Sequence, residues 1–383
     1  MNKHILIVTK LLPAPADGGG KQRTLAMLRR FSARGDVSLV AFDDGADHET
    51  LDELGVYVHS VQWPTGPRAI VGGYVRSGSV SSARFWHRHL ARAAEQVARA
   101  RPPDVLVIEY AQLAPLVRNV HAPLTVLSMQ NVESDLVASV ARSRRVPTRA
   151  LLLAEAATVR RLERRLLRVA DVVSVVSETD RARLPPTRGR VIICPNGQEH
   201  PELLPWRSSE PTAVFVAQLG WKPNVDGALW LGRKVWPLVR AVRPDARLIL
   251  VGRKPAPEVR DLASPDVEVT GTVPDVQPFL ARARCTLAPL SAGGGSRLKI
   301  LESLAAGRPV VSTSVGAEGL DHVVTHGIVV ADDPRSFADA VIALLDDANL
   351  AERLGKEGHN RVAKHYTWDK TLAPLLDAVF ANR

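Results

Sequence analysis

Cysteine is almost absent from the 383-residue chain: Cys194 and Cys285 stand alone and lack the paired spacing of a zinc site. Their apolar settings, VIICPNG and RCTLAPL, read as core thiols. Aromatic residues make up only 5%. No helix-turn-helix, zinc-finger or aromatic RNA-binding pattern goes with the positive charge, which argues against nucleic acid as a partner. No apolar run approaches the ~18 residues of a membrane span, and the apolar stretch in MNKHILIVTK is too short for a signal peptide. The chain is therefore expected in the cytoplasm.

What remains is an ordinary soluble composition, 45% hydrophobic, with a formal net charge of +10. The length exceeds what one core usually holds, so two domains are expected. The charge favours anionic partners: nucleotide sugars and anionic lipid both qualify.

Short continuous apolar runs alternate with helical patterns along the chain. HILIVT (4–9) leads through LLPAPADGGG into the periodic KQRTLAMLRRFSARG (21–35), giving strand, glycine loop and helix. VSLVAF, VYVHSVQW, DVLVIEY and PLTVLSMQN read as further strands, followed by a long helix over 149–170 and the strand in DVVSVVSETDRARL. CPNGQEHPELLPWRSSEPT is rich in Pro and polar residues and reads as a linker. The alternation then resumes with AVFVAQL, a helix over 224–243, ARLILVG, VEVTGTV, a helix over 275–284, CTLAPL, a helix beginning near Lys299, PVVST and GIVVA. This is the pattern of parallel sheets covered on both faces. The expected α/β organisation is one Rossmann-like domain over 1–194, a linker over 195–211, a second Rossmann-like domain over 212–362 and a terminal helix over 363–383 packing back on the first. A ligand would lie in a cleft at the carboxyl ends of both sheets.

The densest candidate site is SAGGGSRLKILESLAAGRPVVSTSVGAEGL (291–320). Gly293, Gly294, Gly295 and Ser296 turn the chain into a helix whose free N–H groups and partial positive charge suit a diphosphate. Arg297 and Lys299 add two cations, and Glu302 lies one turn on, where a carboxylate can accept from a ribose diol. The same residues also read as a flexible loop with solvated charges. Gly18, Gly19 and Gly20 form either a second phosphate-approaching loop or a plain strand-to-helix turn. Glu109 and Glu133 are carboxylates near strand ends, and Arg161, Arg164, Arg165 and Arg168 share one face of the 149–170 helix opposite Leu162, Leu166 and Val169. That stripe is either a solvated face or a peripheral contact with anionic membrane.

The block KILESLAAGRPVVSTSVGAEGL resembles the donor-binding block of glycosyltransferase family 4. PAPADGGGKQRTLAMLRRFSARGDVSLVAF, DVVSVVSETDRARL, PNGQE and FVAQLGWKPNVDGALWLGRKVWPLV agree with that family in order. The resemblance spans nearly the whole chain and is closest to bacterial members associated with exopolysaccharide assembly. It implies the two-domain GT-B fold and sugar transfer from a nucleoside-diphosphate sugar to a hydroxylated acceptor. It also implies retention of anomeric configuration without a bound metal, in polysaccharide or natural-product biosynthesis. Arg297 and Lys299, and after them Lys222, would neutralise the diphosphate. Gln130 and Glu133 would lie by the reacting sugar, and Glu109 and Asn131 by the acceptor.

Three positions depart from the family pattern. Gly294 stands where a glutamate is usual, Gln218 where an arginine is usual, and Gln130 where many members carry a histidine. An epimerase of the same fold and a non-catalytic nucleotide-sugar-binding subunit are the competing readings.

Overall fold

The computed structural model describes residues 2–63, 67–83, 85, 87–142, 144–206, 210–292 and 297–381. The chain divides into two units, one of Met1–Pro195 with Leu372–Arg383 and one of Asn196–Thr371.

In the first unit the apolar runs become parallel strands: β1 (His4–Leu11), β2 (Asp36–Asp43), β3 (Tyr57–Gln62), β4 (Val105–Glu109), β5 (Leu124–Ser128), β6 (Val172–Val175) and β7 (Arg190–Ile193). Among the described residues they form one sheet in the order β3-β2-β1-β4-β5-β6-β7. β4 is buried at every position, because helices cover both sheet faces, whereas β3 is a half-exposed edge. The four-residue β7 is too short to announce itself as a strand in VIICPNG. The helices are α1 (Gly19–Ser32), α2 (Glu49–Glu53), α3 (Pro67–Ser77), α4 (Val80–Ala83), α5 (Arg88–Ala100), α6 (Glu133–Arg142), α7 (Thr148–Leu167) and α8 (Glu178–Arg183), with a 3-10 turn over Ala111–Val117. The chain end returns to this unit: Phe380 meets Phe31 edge-on, with ring centroids 5.9 Å apart, and Lys3 donates to the carbonyls of Val379 and Ala381.

The second unit contains β8 (Thr212–Val216), β9 (Arg247–Val251), β10 (Val267–Gly271), β11 (Cys285–Ala288), β12 (Val310–Ser312) and β13 (Ile328–Val330), all parallel, in the order β10-β9-β8-β11-β12-β13. Its helices are α9 (Lys222–Trp230), α10 (Trp236–Val242), α11 (Pro257–Arg260), α12 (Gln277–Arg282), α13 (Leu298–Ala305), α14 (Ser314–Ala317), α15 (Pro334–Asp346), α16 (Ala348–His365) and α17 (Trp368–Phe380), the last continuing into the first unit. The single helix expected over 224–243 is interrupted by a π turn at Leu231–Val235, next to Pro237, whose missing N–H breaks the regular ladder.

Two features organise the stretch expected to be a linker. The Gln198 amide donates to the Tyr366 carbonyl and the Trp368 amide donates to the Gln198 carbonyl across the Gln198–Thr367 bridge, and a side chain on Gly197 would collide with the Trp368 amide. Further on, the fully buried Arg308 donates to the carbonyls of Leu204 and Pro205 as well as Leu280, and lies 4.4 Å from the Trp206 ring. The arginine inside the Gly-Arg-Pro motif thus pins residues 204–206 to the second unit. Cys194 and Cys285 are buried free thiols, and burial pushes Cys285 up to about 12.

Candidate functional site

Each sheet has one point where its strand order reverses, and ligands of open parallel sheets bind there, beyond the carboxyl ends of the strands. In the second unit that point lies between β8 and β11. The chain leaving β8 enters α9 and the chain leaving β11 enters α13, so the candidate residues gather at this reversal.

Among the described residues helix α13 starts without a side-chain cap and without an acidic residue in its first turn, so its partial positive charge meets no carboxylate there, while the Ile300 amide donates to the Arg297 carbonyl. Arg297 is buried at its N-cap and donates to the Val315 carbonyl at 3.3 Å. Lys299 donates at 2.8 Å to Asn224 Oδ1, while Asn224 Nδ2 donates to the Gln218 carbonyl, and the Lys299 ammonium lies 5.2 Å from the Phe215 ring centroid. Burial, reinforced by Arg297, brings Lys299 down to about 7. Burial, reinforced by Asp275, brings Glu302 up to about 7. A cation and a carboxyl that both change charge near neutrality therefore share one helix start. Gly307 ends the helix at φ 74°, a conformation that favours glycine, and a side chain there would strike Leu203. Gly293, Gly294, Gly295 and Ser296 lie outside the described residues. Lys222, expected after Arg297 and Lys299 as a cation for the diphosphate, forms an ion pair with Asp226 one turn along the exposed start of α9. Trp221 is its exposed N-cap.

In the first unit the reversal lies between β1 and β4, and a second cluster surrounds it. Glu109 ends β4 with no exposed surface. It accepts from Thr9 at 3.0 Å, from Thr24 on α1, and from Gln130 Nε2 at 3.3 Å. The acceptor contact expected of Glu109 is therefore corrected: its oxygens are enclosed and committed to the protein. Burial raises its pKa, opposed by those donors and by the nearby Arg23. Gln130 also donates to the Gly20 carbonyl at 3.4 Å.

The three glycines also resolve differently. Gly18 is the extended N-cap of α1 and Gly19 and Gly20 are its first residues, so the run is a helix start. At Gly20 bulk is forbidden by a close neighbour, since a Cβ would sit 2.4 Å from Tyr110 Oη and 3.1 Å from Gln130 Oε1. Asn131 is half-buried between Gln130 and the start of α6, and Glu133 is the first residue of that helix.

Lys10 and Tyr110 escaped the sequence reading. The Lys10 ammonium stands 3.9 Å from the Tyr110 ring centroid, 4.7 Å from that of Phe85 and 3.9 Å from Glu133 Oε1. Burial lowers its pKa against the pull of Glu133 and Glu109. Tyr110 adopts φ 73°, turning its ring from the end of β4 toward Gly20, and its hydroxyl is pushed well above the ordinary range by burial. The strand-end logic that singled out Glu109 applies equally to Lys10 near the end of β1 and was the available signal.

Comparison with known proteins follows the same two-part division. Residues 18–197 match the family model "Glycosyl transferase 4-like domain" and residues 210–347 match "Glycosyl transferases group 1". Alpha-maltose-1-phosphate synthase of Mycobacterium tuberculosis is 30% identical over 206 residues, which are 45% of this chain and 52% of that protein. The chain spans about half the length of the first curated relatives it matches. Sucrose-phosphate synthase of Thermosynechococcus elongatus superposes over 99% of both chains with TM-score 0.74 at 17% identity. The Anabaena protein HepE in complex with UDP-glucose superposes over 99% of this chain and 100% of its own with TM-score 0.70 at 13% identity. With both halves matched in order and each folded as a parallel Rossmann-like unit, the chain belongs to the family 4 glycosyltransferases of the GT-B fold.

Proposed function

We propose that the chain is a retaining glycosyltransferase. It moves a hexose-type sugar from a nucleoside-diphosphate sugar to a hydroxyl of a saccharide, lipid-linked or small-molecule acceptor, without a bound metal, in polysaccharide or natural-product assembly. The observation that carries this reading is the start of α13 at the strand reversal, where Arg297 and Lys299 stand at a helix start with no side-chain cap among the described residues and Glu302 lies one turn on. HepE, seen with UDP-glucose, offers a neighbour of the same fold with a nucleotide sugar bound.

In the proposed reaction an acceptor oxygen forms the new bond to the anomeric carbon as the bond from that carbon to the phosphate oxygen breaks. The nucleoside diphosphate leaves with the electron pair, and its oxygen takes the acceptor's proton. Arg297, Lys299 and the helix amides stabilise the growing charge, and Glu302 holds the ribose. Gly293 to Ser296 are assigned to the sugar and phosphates, with Lys222 as an outer cation. Gly18, Gly19, Gly20, Gln130, Asn131 and Glu133 are assigned to the reacting sugar and acceptor. Lys10 adds a charge near Glu133, and Glu109 positions α1 and Gln130.

The test is release of nucleoside diphosphate from a panel of nucleotide sugars, with and without acceptors, in the presence of a chelator. Acceptor-dependent release that survives chelation supports the reading. Sugar isomerisation without acceptor supports the epimerase, and nucleotide binding with no turnover across the panel supports the binding subunit.

A further inference from the structure

Helix α3 in the first unit is built inside out. Its inward face carries Gly73 and Ser77. A Cβ on Gly73 would lie 1.9 Å from the Ala83 carbonyl oxygen, so no larger residue fits, and Ser77 Oγ turns back onto the Gly73 carbonyl. The large apolar residues Ile70, Val71, Tyr74 and Val75 point to solvent instead, and Val75 is 77% exposed. Their spacing places them on one helical stripe. A helix whose small residues pack inward and whose large apolar residues face water gains nothing from folding by that outer face.

The stripe continues onto neighbouring elements. Glu155 on α7 accepts from Ser79 Oγ, Ser81 Oγ and the Val80 and Ser81 amides, fastening α4 to α7, and Val80 itself is exposed. One turn before Glu155 stands Leu151, 70% exposed. Along residues 142–168, which include α7, the exposed charge has one sign. Residues 142–168 contain nine arginines and two glutamates, and no lysine or aspartate. Both glutamates are occupied within the protein, Glu155 at α4 and Glu163, fully buried, by Ser134. Arg145, Arg149, Arg160, Arg161, Arg164 and Arg165 are exposed.

We infer that the α3–α4–α7 face docks on an anionic lipid bilayer, with the α3 stripe and Leu151 entering the interface and the arginines meeting lipid phosphates. Exposed apolar side chains flanked by charge of one sign match both layers of such a surface, apolar below and anionic at the headgroups. A polybasic stripe on α7 alone supplies only attraction; α3 supplies the burial that holds the contact. This inference does not depend on the transfer reaction, because binding is read without turnover.

The experiment is co-sedimentation of the full chain with vesicles of phosphatidylglycerol and phosphatidylcholine, against vesicles of phosphatidylcholine alone. Wild type is expected to partition onto the anionic vesicles and to be released by salt. Val71→Asp/Val75→Asp is expected to lower partition at least about tenfold, and Arg161→Gln/Arg165→Gln, on the side of α7 that carries Leu151, roughly fivefold per arginine removed. All four positions are exposed, so unchanged thermal denaturation and circular dichroism certify the fold of the variants. Absence of anionic-vesicle binding by wild type, or equal binding by the Val71/Val75 variant, overturns the inference. A concentration-dependent dimer lost in that variant, without vesicle binding, assigns the face to a second copy of the chain and also overturns it.

Discussion

Lys299 on α13 donates its side-chain hydrogen bond, 2.8 Å long, to Asn224 on α9, so the helix after β11 is tied to the helix after β8 directly over the strand reversal. The tie explains how a lysine is kept at a helix start that already repels cations. Asn224 offers an acceptor that carries no charge of its own.

Affinity for a nucleotide sugar should peak near pH 7. Above that value Lys299 loses its proton and its attraction for the diphosphate; below it Glu302 gains one and accepts less well from a diol. Titration calorimetry across pH should therefore show a maximum. Lys299→Arg should hold affinity on the alkaline side, and Glu302→Gln should flatten the acid side.

Removing either group should stabilise the empty protein while weakening nucleotide binding. The folded-state pKa of Lys299 is depressed, so the unfolded chain takes up its proton first as pH falls. The resulting destabilisation is complete below about 7 and fades toward the ordinary lysine range. For Glu302 the folded value is raised, so destabilisation grows from the ordinary carboxylate range and is complete above about 7. Lys299→Met should raise Tm by roughly 2–4 °C, most on the acid side, and Glu302→Gln should do so most on the alkaline side. Scanning calorimetry at several pH values checks the opposite trends.

Gly20→Ala should destabilise by about 1–3 kcal/mol through collision with the Tyr110 hydroxyl. Tyr110→Phe in the same chain should restore most of that loss, because it removes the oxygen in contact while keeping the ring beside Lys10. Chemical denaturation of the single and double variants measures the coupling.

Glu109→Leu should act on folding, at about 3 kcal/mol or more, since Thr9, Thr24 and Gln130 would lose a buried acceptor. Urea denaturation should show the loss in full without any ligand; an acceptor-binding residue would instead change the acceptor KM and leave unfolding alone.

Local pattern made the strands and the two-unit plan legible, because buried parallel strands are continuous apolar runs: Ile5 to Val8 and Leu248 to Val251 are buried throughout. The placement of Arg297, Lys299 and Glu302 at a helix start just past a strand was legible too. What stayed hidden depends on contacts distant in sequence. Arg308 looks like a surface residue until its bonds to Leu204 and Pro205 are seen. Lys222 looks available until Asp226 is seen beside it. Val169 was placed on the buried side of the 149–170 helix, yet α7 ends at Leu167 and Val169 is exposed. The enclosure of Glu109 required Thr9 and Thr24, which no spacing rule connects to it.

The most direct test of the site at α13 is a thermal-shift titration of wild type, Lys299→Met and Glu302→Ala with the common nucleoside diphosphates. Selective stabilisation of wild type by one base is expected, with affinity lower by about 10- to 100-fold in each variant, as loss of a hydrogen bond to a charged group implies. Equal stabilisation of all three proteins would contradict the assignment of diphosphate and ribose to the start of α13.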